Sequence, residues 1–183
     1  MCIRDRYIGG KEKNKHQSKK TEGTQGRSTK TKTPVVGLVE RGGNIVTHVV
    51  KSTGKKTMET LSAKHIKKGA MVSTDEYKSY NGLSEDYNHM VVNHGDGEYV
   101  VGEAHTNTVE CFWSQMKRGI IGIYHKTSTK HLQAYADEFS LRFNTRHDSE
   151  SERFNGILRK VGGKRLTYDE LTAKSGNLND LPF

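Results

Sequence analysis

The sequence predicts a mixed α/β domain. Three observations carry that reading. Short Val- and Ile-rich runs are bounded by Gly-containing turns, two later segments place apolar residues at helical spacing, and strands alternate with helices along the chain instead of segregating. The 183 residues suffice for one ordinary domain, and a hydrophobic fraction of 32% leaves part of the chain outside a packed core.

The elements follow in order. Tyr7-Ile8-Gly9-Gly10 reads as the end of a buried strand and the turn after it. Residues 11–32 hold eight Lys or Arg against two Glu, a local charge of +6, with no aliphatic or aromatic residue. Such a run is expected to be a flexible basic insertion, either a solvated loop or an arm that tracks phosphates. T-P-V-V-G-L-V-E-R (33–41) and I-V-T-H-V-V (45–50) flank Gly42-Gly43-Asn44 and read as a β-hairpin, the turn residues supplying positive φ. Met58, Leu61, Ala63 and Ile66 recur at helical spacing between Lys55 and Lys67, and Gly69 ends that helix. A-M-V-S-T-D (70–75) is a short strand ending on an acid, Tyr77 to Leu83 a short helix or turn, and H-M-V-V-N-H (89–94) a further strand. From Thr106 to Ile120 the residues Val109, Phe112, Trp113, Met116 and Ile120 share one helix face. From His131 to Arg146 the same pattern runs through Leu132, Tyr135, Phe139 and Phe143. Gly162-Gly163 closes the packed part, and 164–183 is a peripheral tail.

Net charge is +9, the electrostatic footprint of a polyanionic partner such as nucleic acid. Cys2 and Cys111 lie far apart with no metal-ligand spacing, which points to a reducing cytosol and away from a disulfide framework. No apolar run approaches the roughly 20 residues needed to cross a bilayer.

Two acids stand out. Asp75 ends a buried strand, where α/β sheets commonly present ligand-binding groups. Read alone it is also an ordinary turn or cap residue. Glu110 and Lys117 are two turns apart and project side by side at the edge of the apolar stripe of their helix, which by itself also describes a solvated ion pair. Together, carboxylates at a strand end and at the head of a later helix can converge over one sheet edge. Two or three such acids hold two Mg²⁺ (or Mn²⁺) ions, activate water or a 3′-hydroxyl, and stabilise the leaving oxygen in an in-line phosphoryl transfer. A neighbouring Lys then holds phosphate.

The phrases Y-I-G-G-K-E-K-N-K-H (7–16), K-T-P-V-V-G-L-V-E-R (32–41), S-T-D-E-Y-K-S-Y (73–80), V-V-N-H (91–94) and G-E-Y-V (97–100) continue into H-T-N-T-V-E-C-F-W-S-Q-M-K-R-G-I-I-G-I-Y-H (105–125), K-H-L-Q-A-Y (130–135) and D-E-F-S-L-R-F-N-T-R (137–146). In this order the stretch resembles a DDE-type insertion-sequence transposase of the ISXO2-like branch. The resemblance implies a ribonuclease-H-like mixed sheet flanked by helices over residues 7–163. It also implies metal-dependent DNA cleavage and strand transfer, and a homo-oligomer acting on element ends and target DNA. Asp75 corresponds to the second catalytic acid and Glu110 to the third, both as metal ligands, with Lys117 seven residues on. Some members carry Asn at the third position, which makes Asn107 the rival to Glu110. Lys117, Arg118, Lys11, Lys13, Lys15 and Arg142 are the candidate DNA contacts. His94 and His105 are structural histidines or, for His105, a group orienting the carboxylates. Trp113 is expected in the core rather than as a base-stacking platform.

The resemblance breaks at one place. In the family pattern D-E-x-Y-I-G-G the first catalytic Asp lies three residues before Tyr7, where this chain has Arg4. Asp5 stands at the usual Glu position, and strand alternation points it to the opposite face. M-C-I-R-D-R is also similar to the translation of a transposon-end adapter used in sequencing libraries. Residues 1–6 are therefore expected to be non-native, and the chain as written inactive or severely impaired. The rival readings are a non-catalytic DNA-binding remnant and a ribonuclease-H-like nuclease that hydrolyses without joining.

Overall fold

The computed structural model describes residues 1–10, 12–24, 26–93, 100–101 and 104–172, with the backbone alone at 100–101 and 104–105. A five-stranded sheet forms the centre, in the order β3-β2-β1-β4-β5. Strand β1 is Cys2–Ile8, β2 Thr33–Val39, β3 Ile45–Val49, β4 Met71–Asp75 and β5 Asn88–Val92. β1, β2 and β3 are antiparallel neighbours, whereas β4 runs parallel to β1 and β5 parallel to β4. Helix α1 (Lys55–His65) connects the hairpin to β4, and a 3₁₀ segment (Lys78–Glu85) connects β4 to β5. The strands β6 (Val100–Val101) and β7 (Ala104–His105) form a small separate ladder before α2 (Asn107–Gly119) and α3 (Leu132–Asn144).

Strand β1 takes in all of C-I-R-D-R-Y-I. Residues 2–6, set apart above as non-native, form five of its seven positions, with Cys2 and Ile3 buried. Strand β2 is buried at every position from Pro34 to Val39, because helices cover both faces of the sheet there. Alternation sends Val35 and Val39 to a core shared with Val109, Phe112, Trp113 and Met116 of α2 and with Leu132, Ala136 and Phe143 of α3. It sends Val36 and Leu38 to the other face, against Met58, Val72, Tyr80 and Leu83. Gly37 is required at the middle of β2: a Cβ there would lie 2.8 Å from Cζ2 of Trp113. Trp113 is thus core, edge-on to Phe112 at 5.1 Å between ring centroids. The hairpin turn forms as expected, with Gly42 at φ +69° and the Glu40 amide donating to the Asn44 carbonyl at 2.9 Å.

Three differences from the sequence reading stand out. Helix α2 does not stop near Ile120 but widens into a π-type turn, Ile120–Tyr124, ended by His125 at φ 59°. In α3 the inward positions are Leu132, Ala136, Ser140 and Phe143, while Tyr135 and Phe139 sit at the flank against the Tyr124 ring. Helices α4 (Glu150–Val161) and α5 (Tyr168–Thr172) were not anticipated. α4 opens on a full capping box, Ser149 with Glu152, yet none of its residues is buried.

Candidate active site

Asp75 is the last residue of β4. Because β4 alternates, Val72 enters the α1-side core and Ser73 and Asp75 turn towards α2. Cys2 lies level with Ser73 across the parallel β1–β4 pair, so two residues on, Arg4 lies level with Asp75. Glu110 stands in the first turn of α2, and the Thr106 hydroxyl donates to its Oε1 at 3.0 Å. The packing of α2 on β1 and β2 through Phe112, Trp113 and Met116 brings that first turn over the middle of β1, at Arg4, and the end of β4.

The sheet register and the helix packing therefore bring together the two acids singled out in the sequence, and Arg4 stands between them. Its Nη1 donates to Glu110 Oε1 and, at 3.4 Å, to the Thr106 hydroxyl, while its Nε is 4.0 Å from Asp75 Oδ2. A second guanidinium arrives from the basic segment. Arg27 Nη2 donates to Asp75 Oδ2 at 3.3 Å, lies 4.0 Å from Asp5 Oδ1, and stacks 4.1 Å from the centre of the Tyr77 ring. The backbone N–H of Tyr77 donates to Asp75 Oδ1 at 3.3 Å. Asp75 is only 4% exposed, and burial pushes its carboxyl above the ordinary aspartate range. Arg4 pulls it down, nearby Asp5 pushes it up again, and the Tyr77 amide and Arg27 pull it down further, so desolvation outweighs the arginines.

The remaining predicted residues spread out. Asn107 is exposed at the first position of α2, and Lys117 and Arg118 are exposed in its last turn. Arg142, on α3, is held by Glu138 one turn away, at 2.8 and 3.1 Å. Lys13 is exposed, and Lys15 pairs with Glu12 at 2.5 Å. Lys11 and His94, and the side chain of His105, lie outside the described residues. Asp5 faces the other side of the sheet, as alternation requires. Tyr80 donates to its Oδ1 at 3.2 Å, and its buried Oδ2 has no partner among the described residues. Arg27, Tyr77 and Thr106 were missed. The only signal in sequence for Thr106 is its place one turn before Glu110. Arg27 sits in a polar run with no periodicity and reaches the acids only through the path of its loop.

The strand order 3-2-1-4-5, with β4 and β5 parallel to β1 and an acid at the end of β4 facing another at the head of α2, defines the ribonuclease-H-like class. Within it, the chain belongs to the ISXO2-like transposase domain family, which matches residues 3–144. It is similar to an uncharacterized protein in transposable element ISH50 of Halobacterium salinarum, 32% identical over 141 residues that cover 74% of this chain and 47% of that one. The chain thus spans about half the length of the curated relative it matches. No solved structure matches it.

Transposases act on DNA, and the DDE class generally uses divalent metal ions. The side chains present here do not fit such a centre. Among the described residues no group of three or more His, Cys, Asp or Glu is placed to hold a metal. Asp75 and Glu110 already hold a guanidinium, and Asp5, bonded to Tyr80, lies 4.0 Å from the Arg27 that also holds Asp75. A hard divalent cation needs several converging oxygen ligands, and Arg4 puts a fixed positive charge where the third would stand.

Proposed function

We propose that this chain is the catalytic domain of a DDE transposase whose phosphodiester cleavage and strand-transfer chemistry is blocked as written, and which retains the capacity to bind DNA. The observation that carries the reading is Arg4, which stands level with Asp75 and ion-pairs with both that acid and Glu110. With an acid at position 4 these two carboxylates would serve as metal ligands; Lys117 would hold the DNA backbone, and the exposed cations Arg118 and Lys13 would add phosphate contacts. The working form on DNA is a multimer in a bacterial cytosol or nucleoid.

Two experiments on the 183-residue chain test this. In calorimetry with Mg²⁺ or Mn²⁺, the chain as written is expected to show no heat of binding, and Arg4→Asp to bind metal through three acids. In nicking of supercoiled plasmid, Arg4→Asp is expected to exceed the chain as written, and Asp75→Asn in that background to abolish the gain. Robust Mg²⁺-dependent strand transfer by the unmodified chain would sink the proposal. Retained duplex binding with no recovery in Arg4→Asp favours the non-catalytic remnant, and hydrolysis without joining of labelled 3′-hydroxyl ends favours a nuclease. The expectation that residues 1–6 are non-native carries its own test, sequencing the source DNA upstream of the Tyr7 codon. An in-frame Asp-Glu pair at the positions of Arg4 and Asp5 is the expected result, and a gene that begins M-C-I-R-D-R overturns it.

A further inference from the structure

Among the described residues, helix α4 (Glu150–Val161) carries an apolar stripe that nothing buries. Phe154, Ile157, Leu158 and Val161 fall within one arc at i, i+3, i+4 and i+7, and they are 61, 39, 49 and 45% exposed. Among the described residues, the side-chain hydrogen bonds that tie the helix back come from Arg153, which donates to the hydroxyl and carbonyl of Thr145 at 3.0 and 2.9 Å. An isolated helix of this length is marginal in water, so a stable α4 needs its stripe covered.

We infer that α4 is an isologous dimerisation element, packing antiparallel against α4 of a second copy of this chain. The stripe is self-complementary in register. When two copies run antiparallel about a two-fold axis between positions 157 and 158, Phe154 of one meets Val161 of the other, and Ile157 meets Leu158. Charge agrees with that direction. Glu150 lies on the same arc at the N-terminal end, and Lys160, Lys164 and Arg165 cluster at the C-terminal end. Antiparallel packing brings the acidic end of each helix to the basic end of its partner, whereas parallel packing sets like charges together. The stripe covers on the order of a few hundred Å², the size of the largest apolar patch on a typical monomer, which is often functional. Two such stripes together stay below the roughly 1,200 Å² at which stable specific interfaces begin, so the dimer is weak and is expected to dissociate on dilution.

The inference supplies the surface for the multimer proposed above, but its test uses neither DNA nor catalysis and fails independently of that chemistry. Light scattering on eluted protein across roughly 1–500 µM is expected to move from 20.6 kDa towards twice that mass. Leu158→Glu is expected to stay monomeric throughout with unchanged circular dichroism, since α4 contributes no buried residue to the fold. In a Cys111→Ser background, Ile157→Cys is expected to form a disulfide-linked dimer under mild oxidation. Arg159→Cys, on the opposite face of the helix, is expected not to cross-link. A chain that remains monomeric at the highest concentration, or a Leu158→Glu variant that dimerises as well as its parent, overturns the inference. In the first case some other segment or protein covers the stripe.

Discussion

Replacing Arg4 with Asp reverses the sign of the group between two acids, and the geometry sets the size of the effect. Arg4 makes a charge-assisted hydrogen bond to Glu110 and an ion pair to Asp75, and its side chain is 21% exposed. Loss of such a bond costs about 1.5–3 kcal/mol. A third carboxylate beside the buried Asp75 adds like-charge repulsion, bounded at about 4 kcal/mol per pair for a 4 Å separation near a surface, and protonation of an acid relieves much of it. The metal-free variant should therefore lose about 2–4 kcal/mol in all, which at about 2–4 °C per kcal/mol for a chain of this length lowers Tm by roughly 5–15 °C. Mg²⁺ at ~100 times its Kd would return about 2.7 kcal/mol, most of that drop. The assay is thermal unfolding with and without Mg²⁺. The unmodified chain is expected to ignore the ion, while Arg4→Asp becomes Mg²⁺-dependent. Arg4→Ala, which removes the guanidinium without adding an acid, should respond weakly. An unmodified chain that gains as much from Mg²⁺ as the variant, or a folded Arg4→Asp that gains nothing, would refute the view of Arg4 as a lock on the acids.

Two further predictions concern stability. Burial raises the Asp75 pKa, so its ionised form is a net burden on the folded state at neutral pH, and the burden lifts only as pH falls through the raised value. Asp75→Asn is accordingly expected to leave Tm at pH 7 unchanged or raise it, although it takes a partner from two arginines. A fall of several degrees would contradict this. His48 on β3 and His65 at the end of α1 share a hydrogen bond between their Nε2 atoms at 2.8 Å. Burial first, then His65 and Lys64, hold His48 down to about 4. The unfolded state thus binds the proton more readily, and stability present above pH 6.5 is lost as pH falls towards 4. The full shift corresponds to about 3 kcal/mol, and about half that is expected at a partly exposed site. Unfolding at pH 7 and pH 5 should show the loss in the parent and a flatter profile in His48→Gln, and equal slopes would remove His48 as the cause.

Much of the fold was legible because its signals are local. The P-V-V-G-L-V run, the Gly42-Gly43-Asn44 turn and the stripe on α2 each report an element from neighbouring residues, and each formed within a few residues of its expected bounds. The unanticipated helix α4 also carries a local signal, an S-E-S-E cap followed by apolar residues at helical spacing, but the chain there was read as the close of the packed part. Asp75 and Glu110 were visible as individual acids, and strand alternation alone placed Asp5 on the wrong face. The misfit at position 4 was visible too, yet only as a missing acid.

What the sequence by itself determined is therefore the set of elements, the family pattern and the departure at Arg4. Only the tertiary structure decided that Arg4 binds both acids and that Arg27, from a polar segment without periodicity, reaches Asp75 and Asp5. The physical reason is distance along the chain. Residues 4, 27, 75 and 110 meet through the β1–β4 register, the path of a loop and the seating of α2 on the sheet, and no local spacing encodes where those contacts converge.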